Sequence, residues 1–349
     1  MCPSPFQEIA LAVQPDTSAD ILPSSNGQTA RRRWTAYLEL AKPRLVGLAL
    51  FPTAVGFWLA CDGPVDWLRM ALTLVGTAIA AGGANALNQC RETRLDAQMA
   101  RTCSRPLPSG RLDSGRAWCW AIALAVAGPV ILAVAVSRLA AGLAVGAEAI
   151  YVLIYTPLKL RTSLCTLIGA SCGALLPMIG WAGAADGLDY GTWVLAAILY
   201  VWQIPHSLAL AWLHRREYAR VGFRILAALD PSGRATCEVV VLYCLALLPL
   251  SLTAAFAGMV GWVYIVGASA SGLGLLALGL RLYWLRSLAS ARHLFLASMV
   301  YLPLVLGLMV ADQRPWQTAR IHGLAQAARY IVANITSQTA SRKCQYIAE

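Results

Sequence analysis

The chain has 349 residues, of which 58% are hydrophobic and only 13% charged, an apolar excess that a soluble core of this size has no interior to absorb. The mean hydropathy is +0.60. A formal net charge of +11 would suit a nucleic-acid partner, but the basic residues are confined to loops between apolar blocks, so no nucleic acid is expected.

Residues 1–30 are rich in Pro, Ser and Asp, contain no apolar block long enough to insert, and have no arginine before Arg31. An irregular segment is expected there rather than a leader peptide. Apolar blocks near the roughly 20 residues that cross about 30 Å of hydrocarbon then fall at 44–60, 67–89, 117–136, 139–155, 164–182, 190–213, 237–258, 260–280 and 294–310. The pattern predicts an all-α integral membrane bundle of about nine transmembrane helices within residues 31–312, followed by a mildly amphipathic tail, 313–349.

Lys and Arg collect on one side of this arrangement: Arg31–Arg33, Lys42 and Arg44, the stretch from Arg91 to Arg116, Lys159 and Arg161, Arg215 to Arg234, and Arg281, Arg286 and Arg292. The other side holds Arg69 and Arg138 together with Asp62, Asp66, Asp186 and Asp189. The positive-inside rule places the N-terminus in the cytoplasm; the basic residues of the tail are the one mismatch. The ten cysteines are scattered, without CxxC pairs, and Cys90, Cys165 and Cys172 read as small packing residues.

Two segments concentrate polar residues where an apolar helix meets the inner boundary. In GGANALNQCRETRLDAQMARTCSRPLPSGR, residues 82–111, Asn88, Glu92 and Asp96 recur at i, i+4 and i+8 and share one helical face. Two carboxylates and an amide oxygen, with neither His nor Cys, suit Mg²⁺. Arg101 and Arg105 just beyond suit an oxyanion, and together the set describes a diphosphate site. A solvated helix end laced with salt bridges would carry the same charges. In WQIPHSLALAWLHRREYARVGFRIL, residues 202–226, His206 lies within a span and Glu217 follows among arginines. A buried polar packing residue and a surface charge are the plainer readings of these two. Both segments end on the same side, where a bundle can bring them together. Lys159 and Arg161 supply further cations or only a topology signal. Glu148 falls inside a span, where a carboxylate needs a partner or a cavity, and it lies seven residues before Tyr155.

LAKPRLVGL at 40–48, the run from Ala84 to Arg111, YTPLKLRT at 155–162, GALLPMIGWA at 173–182 and WQIPHSLALAW at 202–212 resemble the UbiA prenyltransferase superfamily, most closely its protohaem IX farnesyltransferase branch. The resemblance spans roughly residues 40–310. It implies nine helices around a cavity open to lipid, and Mg²⁺-assisted transfer of farnesyl from farnesyl diphosphate to a vinyl group of protohaem IX. On it Asn88, Glu92, Asp96 and Glu217 are metal ligands. His206 takes a place held by aspartate in other branches. Lys42, Arg44, Arg101, Arg105, Lys159 and Arg161 surround the diphosphate, and Glu148, Tyr155, Trp181 and Trp202 line the cavity. The implied partners are farnesyl diphosphate, protohaem IX, the lipid bilayer of a bacterial inner membrane, and a haem A synthase or oxidase assembly factors. The chain departs from the family pattern at Leu160, Cys165, Leu176, Glu217, Arg224 and Ala227. A quinone precursor or another aromatic as acceptor, or a transporter or lipid-binding membrane protein in place of an enzyme, are the competing readings.

Overall fold

The computed structural model describes residues 26–314, so most of the expected irregular N-terminal segment and nearly all of the tail lie outside the described residues. The helix α1 (Asn26–Ala41) starts earlier than expected, since residues 26–30 are its first turn. Then follow α2 (Pro43–Leu59), α3 (Trp67–Asp96), α4 (Ser114–Ala135) and α5 (Arg138–Ala149). The last continues through a π-helical segment, Ile150–Tyr155, into α6 (Thr156–Leu158). The second half comprises α7 (Cys165–Ala185), α8 (Tyr190–Leu213), two short helices α9 (Arg215–Arg220) and α10 (Leu226–Leu229), and α11 (Arg234–Phe256), α12 (Trp262–Leu285) and α13 (Leu288–Ala311).

Among the described residues, eight helices are long and apolar enough to cross a membrane, and α2 is a shorter apolar helix beside them. This is a multi-pass membrane protein with close to the expected nine spans. Large apolar side chains point outward, including Val134, Phe256, Trp262 and Trp284, as a lipid-facing surface requires. Helix starts are set by local chemistry: Asp66, Asp113, Ser137 and Ser287 each accept a backbone N–H at an N-terminus, and Asp189 with Thr192 forms a capping box on α8.

In lipid, helices gain little from hiding apolar surface from one another, so close packing of small residues decides which of them pair. A Cβ added at Gly128 of α4 would stand 2.4 Å from the Ala80 nitrogen of α3. One added at Gly56 of α2 would stand 2.2 Å from the Pro177 carbonyl oxygen of α7. Helix α8 is central, packed against α7, α11 and α13, while α13 also touches α2 and closes the bundle.

Two features position the site. At 1.5 Å per residue α3 is about 45 Å long, longer than the hydrocarbon is thick, so its last turns carry Glu92 and Asp96 to the boundary while still helical. The π-helical turn after α5 leaves carbonyls that side chains take up: Arg91 Nη1 donates to Val152 O at 3.1 Å, and Thr156 Oγ1 to Tyr151 O at 2.8 Å. The first of these bonds ties this segment to the end of α3.

Candidate active site

Asn88, Glu92 and Asp96 face inward along α3 and are buried. Each meets a partner from a different stretch of chain. Asn88 Nδ2 donates to Thr156 Oγ1 at 3.0 Å, leaving the amide oxygen uncommitted. Glu92 Oε1 lies 2.7 Å from Lys159 Nζ. Asp96 Oδ2 lies 2.6 Å from Arg105 Nη1, in the loop after α3. Carboxylates at a helix C-terminus face the negative end of its dipole; these cations offset that penalty together with the cost of burial.

Lys159 also lies 4.7 Å above the Tyr155 ring and 5.8 Å from that of Phe223. Burial works against its charge, but Glu92 more than offsets this and holds the ammonium above its ordinary pKa. Lys42 occupies the turn between α1 and α2 in a left-handed conformation, φ 52°, a backbone state that costs a non-glycine residue about 1–3 kcal/mol. Gln89 Nε2 donates to Leu40 O at 2.6 Å beside this turn. Burial, reinforced by the positive Arg105 and Lys159, brings Lys42 down to about 8.

The end of α8 meets the same region. Arg101 Nη2 donates to Tyr218 OH at 3.3 Å, and Met99 packs with Val221 and Phe223. Glu217, however, does not join the acids of α3. One position along a six-residue helix turns it some 100° from Tyr218, and its carboxylate lies 3.8 Å from His214 Nδ1. It lines a separate groove with Trp212, Arg216 and Leu288. Among the described residues no three His, Cys, Asp or Glu side chains converge as metal ligands, so the expected four-ligand set including Glu217 is not assembled. Asn88, Glu92 and Asp96 remain an oxygen-only donor set, which fits a Mg²⁺ that keeps waters and takes its other ligands from a phosphate.

Two adjoining pockets lie along the Tyr151–Tyr155 stretch that leads to Lys159. One, about 180 Å³, is lined by Tyr155, Cys165, Ser207, Tyr218 and Ile225. The other, about 210 Å³, is lined by Asn85, Glu148, Leu176 and Ile179, and Tyr151, Cys172 and Gln203 border both, so the two form one chamber. Tyr151 and Tyr155 stack at 5.5 Å. Glu148 and Tyr155 therefore border this chamber, whereas Trp181 and Trp202 are not among its lining residues. Trp181 is packed against Gly191 and Met259 near the start of α8, far along that helix from the acid cluster. Trp202 Nε1 donates to Ser298 O at 2.8 Å and its ring stacks on His206 at 4.9 Å. His206 itself bonds Ser298 Oγ at 2.8 Å and lies against Phe295, so in this structure it packs between α8 and α13 and is not brought to the acids of α3. Arg44 and Arg161 are exposed, with no hydrogen bond or ion pair to the cluster among the described residues. Sequence reasoning missed Thr156, Gln203 and Tyr218. Thr156 and Gln203 stand inside the segments 155–162 and 202–212, and Tyr218 directly follows Glu217, which are the signals that could have found them.

The profile described as the UbiA prenyltransferase family matches residues 49–307. The chain belongs to the UbiA prenyltransferase family. Within the family it is 44% identical over 286 residues to the protoheme IX farnesyltransferase of Solibacter usitatus, an alignment covering 79% of this chain and 98% of that protein. The UbiA fold is matched by the solved structure of a digeranylgeranylglyceryl phosphate synthase, with TM-score 0.68 and 16% identity over 80% of this chain and 98% of that one. A UbiA homolog from Archaeoglobus fulgidus bound to DMAPP and Mg²⁺ superposes with TM-score 0.57 and 15% identity, over 78% of this chain and 99% of that one.

Proposed function

We propose that the chain transfers a farnesyl group from farnesyl diphosphate to a vinyl group of protohaem IX. Diphosphate leaves, the vinyl carbon bonds to the allylic cation, and water then adds to the carbocation left beside the ring and loses a proton, yielding the hydroxyethylfarnesyl haem. The observation that carries the reading is the row Asn88, Glu92 and Asp96, met by Thr156, Lys159 and Arg105 at the mouth of an apolar chamber. Identity to the Solibacter enzyme over most of both chains supports the choice of acceptor.

Lys159, Arg105, Lys42 and Arg101 would bind the diphosphate and stabilise the charge that gathers on it as the allylic bond breaks. Glu92, Asp96 and the Asn88 amide oxygen would hold Mg²⁺, which when bound neutralises diphosphate charge and makes it a better leaving group. The metal's counterpart among solved structures is the Archaeoglobus homolog with its prenyl diphosphate. Lys159 and Arg105, which pair with Glu92 and Asp96 here, would turn to the phosphates when those carboxylates are otherwise engaged.

Thr156 orients Asn88, and the stacked rings of Tyr151 and Tyr155 present π faces to a passing cation. The apolar chamber keeps water from the cation until carbon has attacked it. No side chain serves as a covalent nucleophile. The basic residues at this end of the bundle support a cytoplasmic site in a bacterial inner membrane. Expression in cells lacking their own haem O synthase, followed by haem extraction, tests the assignment. Haem O is the expected product; labelled prenyl on a phenolic acceptor, with no haem O, would replace it with the quinone-precursor reading.

A further inference from the structure

Glu148 is not used by the reaction above, yet one of its carboxyl oxygens is buried without any hydrogen-bond partner. Such a group inside a membrane span is costly and calls for an explanation. Glu148, Tyr151, Tyr155 and Lys159 follow one another at spacings of three, four and four, a continuous stripe from the chamber to the diphosphate cations. Eleven residues separate Glu148 from Lys159, about 16 Å along the axis at α-helical rise and less through the π-helical turn between them, comparable to an extended chain of three isoprene units. The chamber does not stop there. Ala144, Thr77, Ala80 and Ile179 line it roughly one turn deeper, so space for a fourth unit exists beyond the carboxyl.

Building on the proposed prenyl transfer, we infer that Glu148 is a length-selecting residue. A farnesyl chain ends before it, whereas a geranylgeranyl chain must lie across the half-buried side chain and cover the carboxyl oxygen still open to the chamber, with no donor offered in return. Burying a polar group without a partner is the penalty that sets the limit. The neighbouring donors do not bond it in this structure: Asn85 Nδ2 is committed to Ala81 O at 2.9 Å, and among the described residues neither Gln203 nor Tyr151, which border the same pocket, donates to the buried carboxyl oxygen. Selection here acts by disfavouring the wrong substrate rather than by adding contacts to the right one.

The test uses the full chain in lipid nanodiscs with protohaem and Mg²⁺, comparing kcat/KM for geranylgeranyl and farnesyl diphosphate. Glu148→Leu should raise the ratio of the longer to the shorter substrate at least tenfold, while Glu148→Gln, which keeps a polar group, should stay within threefold of wild type. A ratio in Glu148→Leu within threefold of wild type, or an equal rise in both variants, overturns the inference. If Glu148→Leu inserts poorly, Glu148→Ala is held to the same tenfold criterion. A second readout is the shift in thermal unfolding produced by each diphosphate. Glu148→Leu should selectively enlarge the shift given by geranylgeranyl diphosphate, and an unchanged difference overturns the inference. Should wild type bind farnesyl diphosphate but transfer it to no haem, the proposed reaction fails while the unfolding shifts still decide the role of Glu148.

Discussion

Replacing Lys159 by Met removes the only hydrogen-bond partner of the Glu92 side chain among the described residues and leaves that side chain, 8% exposed, without its paired cation at the negative end of α3. Breaking a buried ion pair from one side costs about 3–5 kcal/mol, because the surviving charge stays desolvated. Lys42 lies within electrostatic reach of Glu92 and softens the loss, so the lower end of that range is expected. The double variant Glu92→Gln/Lys159→Met removes both charges and should recover most of the stability, though not the activity. Unfolding by SDS in mixed micelles, followed by circular dichroism at pH 7, measures both variants. Because the folded pKa of Lys159 is raised, its contribution is fully present below the unfolded value of about 10.4 and is lost as pH rises through the folded value. The same comparison should therefore be flat between pH 6 and 9. A single-variant cost below about 1 kcal/mol, or a double variant no more stable than the single, would refute the buried-pair reasoning.

Glu217→Gln should keep kcat/KM for farnesyl diphosphate within tenfold of wild type, because that carboxylate faces His214 rather than the acids of α3; steady-state kinetics decide it. His206→Leu should lower stability by about 1–3 kcal/mol through loss of the Ser298 hydrogen bond and unsatisfied polar groups left behind, with turnover per folded molecule preserved. Lys42, held down to about 8 by burial and by Arg105 and Lys159 and opposed by Glu92 and Asp96, should make diphosphate affinity fall as pH rises through about 8. Lys42→Arg should abolish that fall, since a guanidinium stays charged; an unaltered profile excludes Lys42 as its source.

The spans were legible because hydropathy over about 20 residues is a strong signal, and α8 begins and ends where expected, at Tyr190–Leu213. At α3 hydropathy alone stopped short, since charges from Arg91 onward close the apolar run, yet the helix continues to Asp96, as the shared face of Asn88, Glu92 and Asp96 required. The i, i+4, i+8 spacing of Asn88, Glu92 and Asp96 put them on one face, but nothing in the chain specified Thr156 or Arg105 as the groups opposite. Helix α8 misled in a different way. It is apolar on every side, so no periodicity marks which face looks into the chamber. Trp202 and His206 drew attention as large polar-tipped rings, yet they turn to α13. Gln203 and Ser207, one position along, border the chamber instead. The π-helical turn before Thr156 likewise left no mark in the spacing of apolar residues.

The most direct test follows conversion of protohaem by purified chain in nanodiscs supplied with farnesyl diphosphate and Mg²⁺, reading the haem product by mass and absorbance for wild type and Asp96→Asn. The wild-type chain should form the hydroxyethylfarnesyl haem, and Asp96→Asn, folded but short of one metal-binding carboxylate, should lose at least a hundredfold in rate. Asp96→Asn turning over at the wild-type rate would contradict a metal–diphosphate site on α3.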